Sequence, residues 1–208
     1  VKKVRNIDAF FDSELKMDAH VTNACRSASM KLFKIGKIRS YLSVDQAKSV
    51  VHAYVISKLD CYNALLAGIT TAQNHQLQRV QNAAAKLITK HKKYDHVTPI
   101  LHHLHWLPIE DRIILKILLL TFKSLTDLGP GYLKDLLMFY NPPLNLRSAA
   151  DSLVLTVPRT KLITYGDRAF SVMAAVEWNK LPSKIRSSAS VPSFKSRLKT
   201  YLFEKRYV

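Results

Sequence analysis

The stretch that decides the fold is residues 77–88, Leu-Gln-Arg-Val-Gln-Asn-Ala-Ala-Ala-Lys-Leu-Ile. Its apolar side chains recur at intervals of three and four residues, which places them on one face of an α-helix. Thr70 followed by Gln73 is typical of a capping box and predicts where this helix begins. Long polar side chains are predicted on its outer face, namely Gln76, Gln78, Arg79, Gln81, Asn82 and Lys86.

Residues 18–39 and 43–67 are predicted to form two helices ahead of this segment. The first begins with Asp18 as its N-cap and carries an apolar stripe made of Val21, Ala24, Cys25, Ala28, Leu32 and Ile35. The second opens with a capping box formed by Ser43 and Gln46. These segments extend the helical pattern on the N-terminal side.

The helical pattern continues toward the C-terminus and then changes near residue 141. Thr98 as N-cap with Pro99 at the first helical position predicts a short helix, and residues 109–126 predict a strongly apolar one. Farther on, residues 153–157 and 161–165 predict the two strands of a β-hairpin, followed by helices from about Arg168 and from Pro192. The predicted fold class is mainly α: a helical bundle, then a second small, mostly helical lobe with a β-hairpin.

The chain is strongly basic. Among its 208 residues, 32 Lys and Arg oppose 15 Asp and Glu, which gives a formal net charge of +17. This imbalance predicts a polyanionic partner, with nucleic acid first and a membrane surface or an acidic protein as alternatives. The apolar fraction of 48% excludes a disordered basic tail, and lysines interrupt the longest apolar run, which excludes a membrane span. Two cysteines indicate a reducing compartment.

Three groups of basic side chains are candidates for nucleic-acid binding. They are Arg26, Lys31, Lys34 and Lys37 on the first helix, Arg79 and Lys86 on the third (with Gln78 and Asn82 beside them), and Lys195, Arg197, Lys199 and Arg206 on the last. The alternative for each group is a solvated helix face. The aromatic side chains are interpreted as core packing rather than as base-stacking platforms, namely Trp106, Trp178, Phe194 and Tyr201.

No catalytic or metal-binding residue is predicted. The chain has no glycine-rich phosphate loop and no Gly-x-Ser-x-Gly motif. The adjacent acids Glu110 and Asp111 are interpreted as complements to a helix dipole. A histidine cluster, His91, His96, His102, His103 and His105, lacks the paired cysteines of a zinc site; a metal-dependent hydrolase around it is the enzyme alternative.

Several further motifs follow residues 77–88 along the chain. They are 104–109 (LHWLPI), 116–123 (KILLLTFK), 146–148 (LRS), 157–160 (VPRT), 165–170 (YGDRAF), 178–182 (WNKLP) and 194–203 (FKSRLKTYLF). Together, and in this order, they resemble the C-terminal part of the reverse transcriptases of non-LTR retrotransposons, the LINE elements of the jockey and chicken-repeat type.

The resemblance implies a domain organisation. Residues 1–17 would be the end of the palm, residues 18–140 the helical thumb and the helices after it, and residues 141–208 a C-terminal extension with a β-hairpin and two helices. Near the start, Ile7-Asp8 stands where the family commonly has Leu-Gly, with Asp12 as the aspartate that follows.

The resemblance also implies a function. The parent protein would be an RNA-directed DNA polymerase that uses Mg²⁺, and its paired catalytic aspartates belong to a palm motif upstream of these residues. We therefore expect no polymerase activity and no cofactor in this chain alone. The implied partners are an RNA template, an RNA–DNA hybrid or target DNA, and the palm and fingers of the parent, in the nucleus and cytoplasm. The alternative is a catalytically inert or repurposed helical interaction domain.

Overall fold

The computed structural model describes residues 3–141, 153–162 and 165–207, and these residues are mainly α-helical. The predicted fold class is therefore confirmed. An antiparallel hairpin opens the chain, with strands β1 (Lys3–Asn6) and β2 (Ala9–Asp12). The helices are α1 (Asp18–Ile38), α2 (Val44–Val51), α3 (Ser57–Leu59), α4 (Thr71–Thr89), α5 (Thr98–His103), α6 (Ile109–Leu125), α7 (Gly131–Lys134), α8 (Phe170–Asn179), α9 (Ser183–Arg186) and α10 (Val191–Tyr207).

The chain divides into two compact units, Val1–Arg112 and Ile113–Val208. The predicted domain boundaries after residues 17 and 140 stay predictions. None of the helices in the described ranges combines the length and the apolarity that crossing a bilayer requires.

The first unit is built around α1 and α4, which run parallel. At their N-terminal ends, the Gln73 side chain donates hydrogen bonds to the Asp18 carboxylate and, at 2.8 Å, to the Lys16 carbonyl. At their C-terminal ends, the Arg39 guanidinium donates to the carbonyls of Leu87 and Ile88. Because the N-terminal ends of α1 and α4 are hydrogen-bonded to each other and so are their C-terminal ends, the two helices are held in register.

The capping boxes at Ser43 and at Thr70 are both present, as predicted. Two other predicted caps are wrong. The N-cap of α1 is Met17, in a left-handed conformation, and Asp18 is already the first residue of the helix. The Asp18 carboxylate accepts a hydrogen bond from Gln73 and does not cap its own helix. Val97 precedes α5, so that Thr98 already belongs to the helix.

The predicted helix over residues 43–67 is interrupted. After α2 the helix widens into a π-turn over His52–Ile56, α3 ends at Leu59, and Tyr62 takes a left-handed conformation with φ of 56°. Arg112 holds this break through a bidentate ion pair with Asp60, with Nε 2.8 Å from Oδ1. The interruption therefore involves a residue about fifty positions away in the sequence. The periodicity of residues 43–67 cannot indicate such a distant contact.

The second unit packs around three stacked aromatic rings. The ring centroids of Phe122 and Phe194 lie 4.3 Å apart, and those of Trp178 and Phe194 lie 5.8 Å apart. Trp178 and Phe194 are buried, as is Trp106 in the first unit. The core interpretation of these three aromatic residues is therefore confirmed, whereas Tyr201 is half-buried.

The first strand of the hairpin predicted in the second unit pairs, at Leu155, with a residue outside that hairpin. Leu155 forms an isolated antiparallel bridge with Phe139, and among the described residues of the second predicted strand, 161, 162 and 165, none pairs with it. Asn179 fixes Leu155 by hydrogen bonds to both its N–H and its carbonyl. The motif at 146–148 and residues 163 and 164 of the second predicted strand lie outside the described residues.

Candidate nucleic-acid interface

A groove of about 400 Å³ lies between α1 and α4 in the first unit. Two arginines from separate predicted groups, Arg26 on α1 and Arg79 on α4, line it together. The other lining residues are Thr22, Cys25, Ser29, Gln76, Val80 and Ala83. The fold thus joins one member of the first basic group to one member of the second.

The groove exists because the facing side chains are short. Ser29 and Ala83 are small, and the two parallel helices are held together by the hydrogen bonds of Gln73 and Arg39 at their ends. Both arginines are solvent-exposed, so their guanidinium groups are available to a ligand in the groove.

The charge of the groove is positive. None of its lining residues, all within the described part of the chain, is acidic. Burial raises the pKa of the Cys25 thiol to about 11, and the Arg79 charge opposes part of that rise. At neutral pH the thiol is therefore uncharged, and it leaves the charge of the two arginines uncompensated.

The other basic residues of α1 occupy different environments. Lys34 and Lys37 are exposed, and at 100° per residue they lie within about 80° of Arg26 around the helix. Lys37 covers the Phe33 ring, with its Nζ 5.0 Å from the ring centroid. Lys31 lies farther round, half-buried, with its Nζ 5.8 Å from the Tyr54 centroid. Lys37, about 20° from Arg26, therefore continues the surface of the groove along α1, whereas Lys34 lies about 80° round the helix from Arg26.

The predicted outer face of α4 is only partly exposed. Gln81 is fully buried and donates a hydrogen bond of 2.8 Å to the Leu107 carbonyl, so its predicted place on this face is wrong. Gln78 donates to the side chains of Gln81 and Asn82 and accepts from the Ile109 N–H. Gln78 and Gln81 therefore connect α4 to the start of α6. Their side chains supply hydrogen-bond partners for backbone groups that would otherwise be unpaired there.

Lys86 and the basic residues of α10 are not among the residues that line the groove. The Lys86 ammonium donates to the Lys93 carbonyl at 2.6 Å, so it is directed at the loop after α4. The α10 residues belong to the second unit and are all exposed: Lys195, Arg197, Lys199 and Arg206. Arg197 also donates to the Lys184 carbonyl at 2.9 Å, which fixes it against α9.

The residues considered for catalysis or metal binding are dispersed. Glu110 and Asp111 lie in the first turn of α6, where the helix dipole favours acids. The histidines between 91 and 105 are all exposed. In the described ranges, no group of three or more His, Cys, Asp and Glu residues could hold a metal ion.

A second polar face of α1 was not predicted from the sequence. His20, Asn23 and Ser27 lie on the side of the helix opposite the groove and line another cavity. Their spacing of three and four residues is a visible signal of a shared helix face, but residues of the apolar stripe lie between them in the sequence and make this face hard to recognise.

No family model, no curated protein and no solved structure matches this chain.

Proposed function

We propose that this chain is the nucleic-acid-binding portion of the RNA-directed DNA polymerase of a non-LTR retrotransposon, without its catalytic palm. The ligand would be the template–primer duplex or the RNA of the element. The observation that carries the proposal is the groove in which Arg26 and Arg79 converge from two helices without an acidic residue beside them.

The chemistry of the groove suits a phosphate backbone. Arginine presents a planar fork of donors that matches the oxygens of a phosphate, and phosphate contacts position a duplex without reading its sequence. The exposed Lys34 and Lys37 extend the positive surface along α1, so that phosphates farther along the same strand would meet lysine ammonium groups. An A-form-like hybrid, recognised through its shape and backbone, fits such a surface.

The test is binding of a labelled RNA–DNA hybrid to the full chain, measured by fluorescence anisotropy. The variant that replaces Arg26 and Arg79 with Gln should bind at least about tenfold more weakly, because two charge-assisted contacts are lost. The matched control replaces Lys48 and Lys92 with Gln, which removes the same charge from exposed positions outside the groove. Equal affinities for the two double variants would contradict the role of the groove.

A second candidate function, a helical protein-interaction domain, is favoured by exposed apolar side chains. Met30, Phe33 and Tyr41 on α1 and the turn after it are 56%, 68% and 85% exposed. Large apolar side chains left in water are typical of protein-binding surfaces. Absence of hybrid binding in dilute buffer, together with a folded protein, would favour this candidate over the first.

A further inference from the structure

A second cavity, of about 240 Å³, lies on the other side of α1 from the groove. The β-hairpin contributes Arg5 and Asp8, α1 contributes His20, Asn23 and Ser27, and α3 contributes Lys58. At 100° per residue, the average direction of His20, Asn23 and Ser27 lies about 140° around α1 from the average direction of the four residues of that helix that line the groove. The two cavities are therefore separate sites on one helix.

The His20 imidazole is buried without being satisfied. The side chain is only 4% exposed, and neither ring nitrogen has a partner with full hydrogen-bond geometry; the Cys61 backbone is the one acceptor near enough to interact with the ring among the described residues. The Tyr62 ring meets it edge-on, with centroids 6.3 Å apart, and supplies no acceptor. Buried polar groups are nearly always hydrogen-bonded, so an imidazole that lines a cavity in this state indicates a ligand.

The lining is rich in hydrogen-bond donors. Asn23 and Ser27 have side chains without a hydrogen bond in the described structure, and both are on the same face of α1 as His20. The Lys58 ammonium lies 3.9 Å from the nearer Asp8 oxygen, which is beyond hydrogen-bond distance. An amide, a hydroxyl, an imidazole and an ammonium group thus converge on one space.

The net charge of the lining is positive. Asp8 is its one acidic residue among those described, against the two cations Arg5 and Lys58. The Arg5 guanidinium donates to Asp8 at 2.7 Å, and this bond, helped by the charge of Lys58, lowers the pKa of the Asp8 carboxyl. The carboxylate is therefore compensated, and one positive charge is left over.

We propose that this cavity binds a phosphate group, with His20, Asn23, Ser27 and Lys58 as donors to its oxygens. A tetrahedral oxyanion accepts several hydrogen bonds at once and is attracted by the excess positive charge. A metal ion fits poorly, because two cations line the space. The phosphate would be either the terminal phosphate of a nucleic-acid strand or a free phosphate, and the proposal does not rest on duplex binding in the groove.

The two cysteines of the chain allow the two sites to be followed separately. Cys61, which is half-buried, lines this cavity, whereas Cys25 lines the groove on the opposite face of α1. A ligand in the cavity should block alkylation of Cys61 and leave Cys25 unaffected. The alkylation rate of each cysteine, read by mass spectrometry on the full chain, is therefore a local measure of occupancy.

The experiment compares inorganic phosphate with a 5′-phosphorylated oligonucleotide and the same oligonucleotide without its phosphate. Saturating phosphate should slow alkylation of Cys61 by about tenfold with no change at Cys25, and Lys58→Gln should weaken the protection by about tenfold. Protection by the phosphorylated strand at far lower concentration than by inorganic phosphate would assign the site to strand ends. Equal potency of the two would assign it to free phosphate.

Two results would overturn the proposal. One is unchanged alkylation of Cys61 with every phosphate-containing probe. The other is equal slowing at Cys25 and Cys61, which indicates general stabilisation rather than binding in the cavity. His20→Phe tests the buried donor, and Lys48→Gln, a charge removed from exposed α2 surface, is the control. Because hybrid binding is measured separately, loss of one site leaves the other testable.

Discussion

Arg39 lies directly after α1, is 6% exposed, and donates hydrogen bonds to three backbone carbonyls. Two of these, Leu87 and Ile88, are in the last turn of α4, where carbonyls lack partners within the helix. A buried guanidinium is costly to desolvate, and here its charge lies where the helix dipole is negative. One side chain thus satisfies the end of α4 and holds α1 beside it.

We expect Arg39→Ala to lower the free energy of unfolding by about 2–4 kcal/mol, because it leaves buried carbonyls unpaired. Urea denaturation followed by circular dichroism measures the change. Lys37→Ala, two residues earlier but exposed, should change stability by no more than about 0.5 kcal/mol. Similar effects of the two substitutions would show that the Arg39 contacts contribute little.

His20 should make the stability of the chain depend on pH. Burial lowers its pKa below 6.5, although the Cys61 backbone opposes part of the shift. The unfolded chain therefore binds a proton at His20 more readily than the folded chain does. The contribution of the neutral His20 to the free energy of unfolding is complete above about pH 6.5 and falls as the pH decreases through that value. The other charged or titratable groups around the cavity are Arg5, Asp8, Lys58 and Cys61; Tyr62 meets the ring from outside.

The measurement is urea denaturation at about pH 7.5 and about pH 5.5. Wild-type protein should lose more stability on acidification than the variant His20→Gln, which does not titrate. Asp8, whose pKa lies below 3.8, loses its contribution only at still lower pH and does not interfere. An identical pH dependence in both proteins would remove His20 as its cause.

At the scale of elements, α1 presents different chemistry on each side: Arg26 toward the groove, His20 toward the second cavity, and Lys34 and Lys37 toward solvent. A helix of 21 residues has room for these separate faces because neighbouring residues differ by about 100° in direction. Its parallel alignment with α4 decides which of its basic residues meet basic residues of another helix.

The exposed lysines of α1 give a prediction for the whole helix face. Replacing Lys34 and Lys37 with Glu should weaken hybrid binding for all sequences alike, by about tenfold or more, because backbone contacts carry no sequence information. Anisotropy with several unrelated hybrids measures this. Replacing Lys48 and Lys92 with Glu changes the net charge equally and serves as the control. An unchanged affinity in the Lys34/Lys37 variant would remove α1 from the interface.

At the scale of the whole molecule, the net charge of +17 predicts binding that weakens with salt. If about four phosphates are neutralised, the logarithm of the association constant should fall with the logarithm of the salt concentration at a slope of about −3 to −4. Titrations of the hybrid at several salt concentrations give the slope. A value near zero would exclude phosphate contacts as the source of affinity.

The helices and two of their capping boxes were predictable, because they depend on residues within four positions of one another. Ser43 with Gln46 and Thr70 with Gln73 are such local pairs. The break at Tyr62 was not predictable, since Arg112 reaches it from a distant part of the chain. Gln81 was predicted to be exposed, and this was wrong for the same reason. A glutamine in a polar run gives no sign that its side chain will be buried and hydrogen-bonded to the carbonyl of Leu107, which is distant in the sequence.

The sequence alone determined the helical fold class, the excess of positive charge and the apolar stripe on each main helix, because periodicity and charge are properties of neighbouring residues. Only the tertiary structure decided that Arg26 and Arg79 share a groove, that Lys86 turns to a loop, and that His20 is enclosed beside Asn23, Ser27 and Lys58. These groupings arise when helices pack, and packing joins residues whose separation along the chain carries no information about their separation in space.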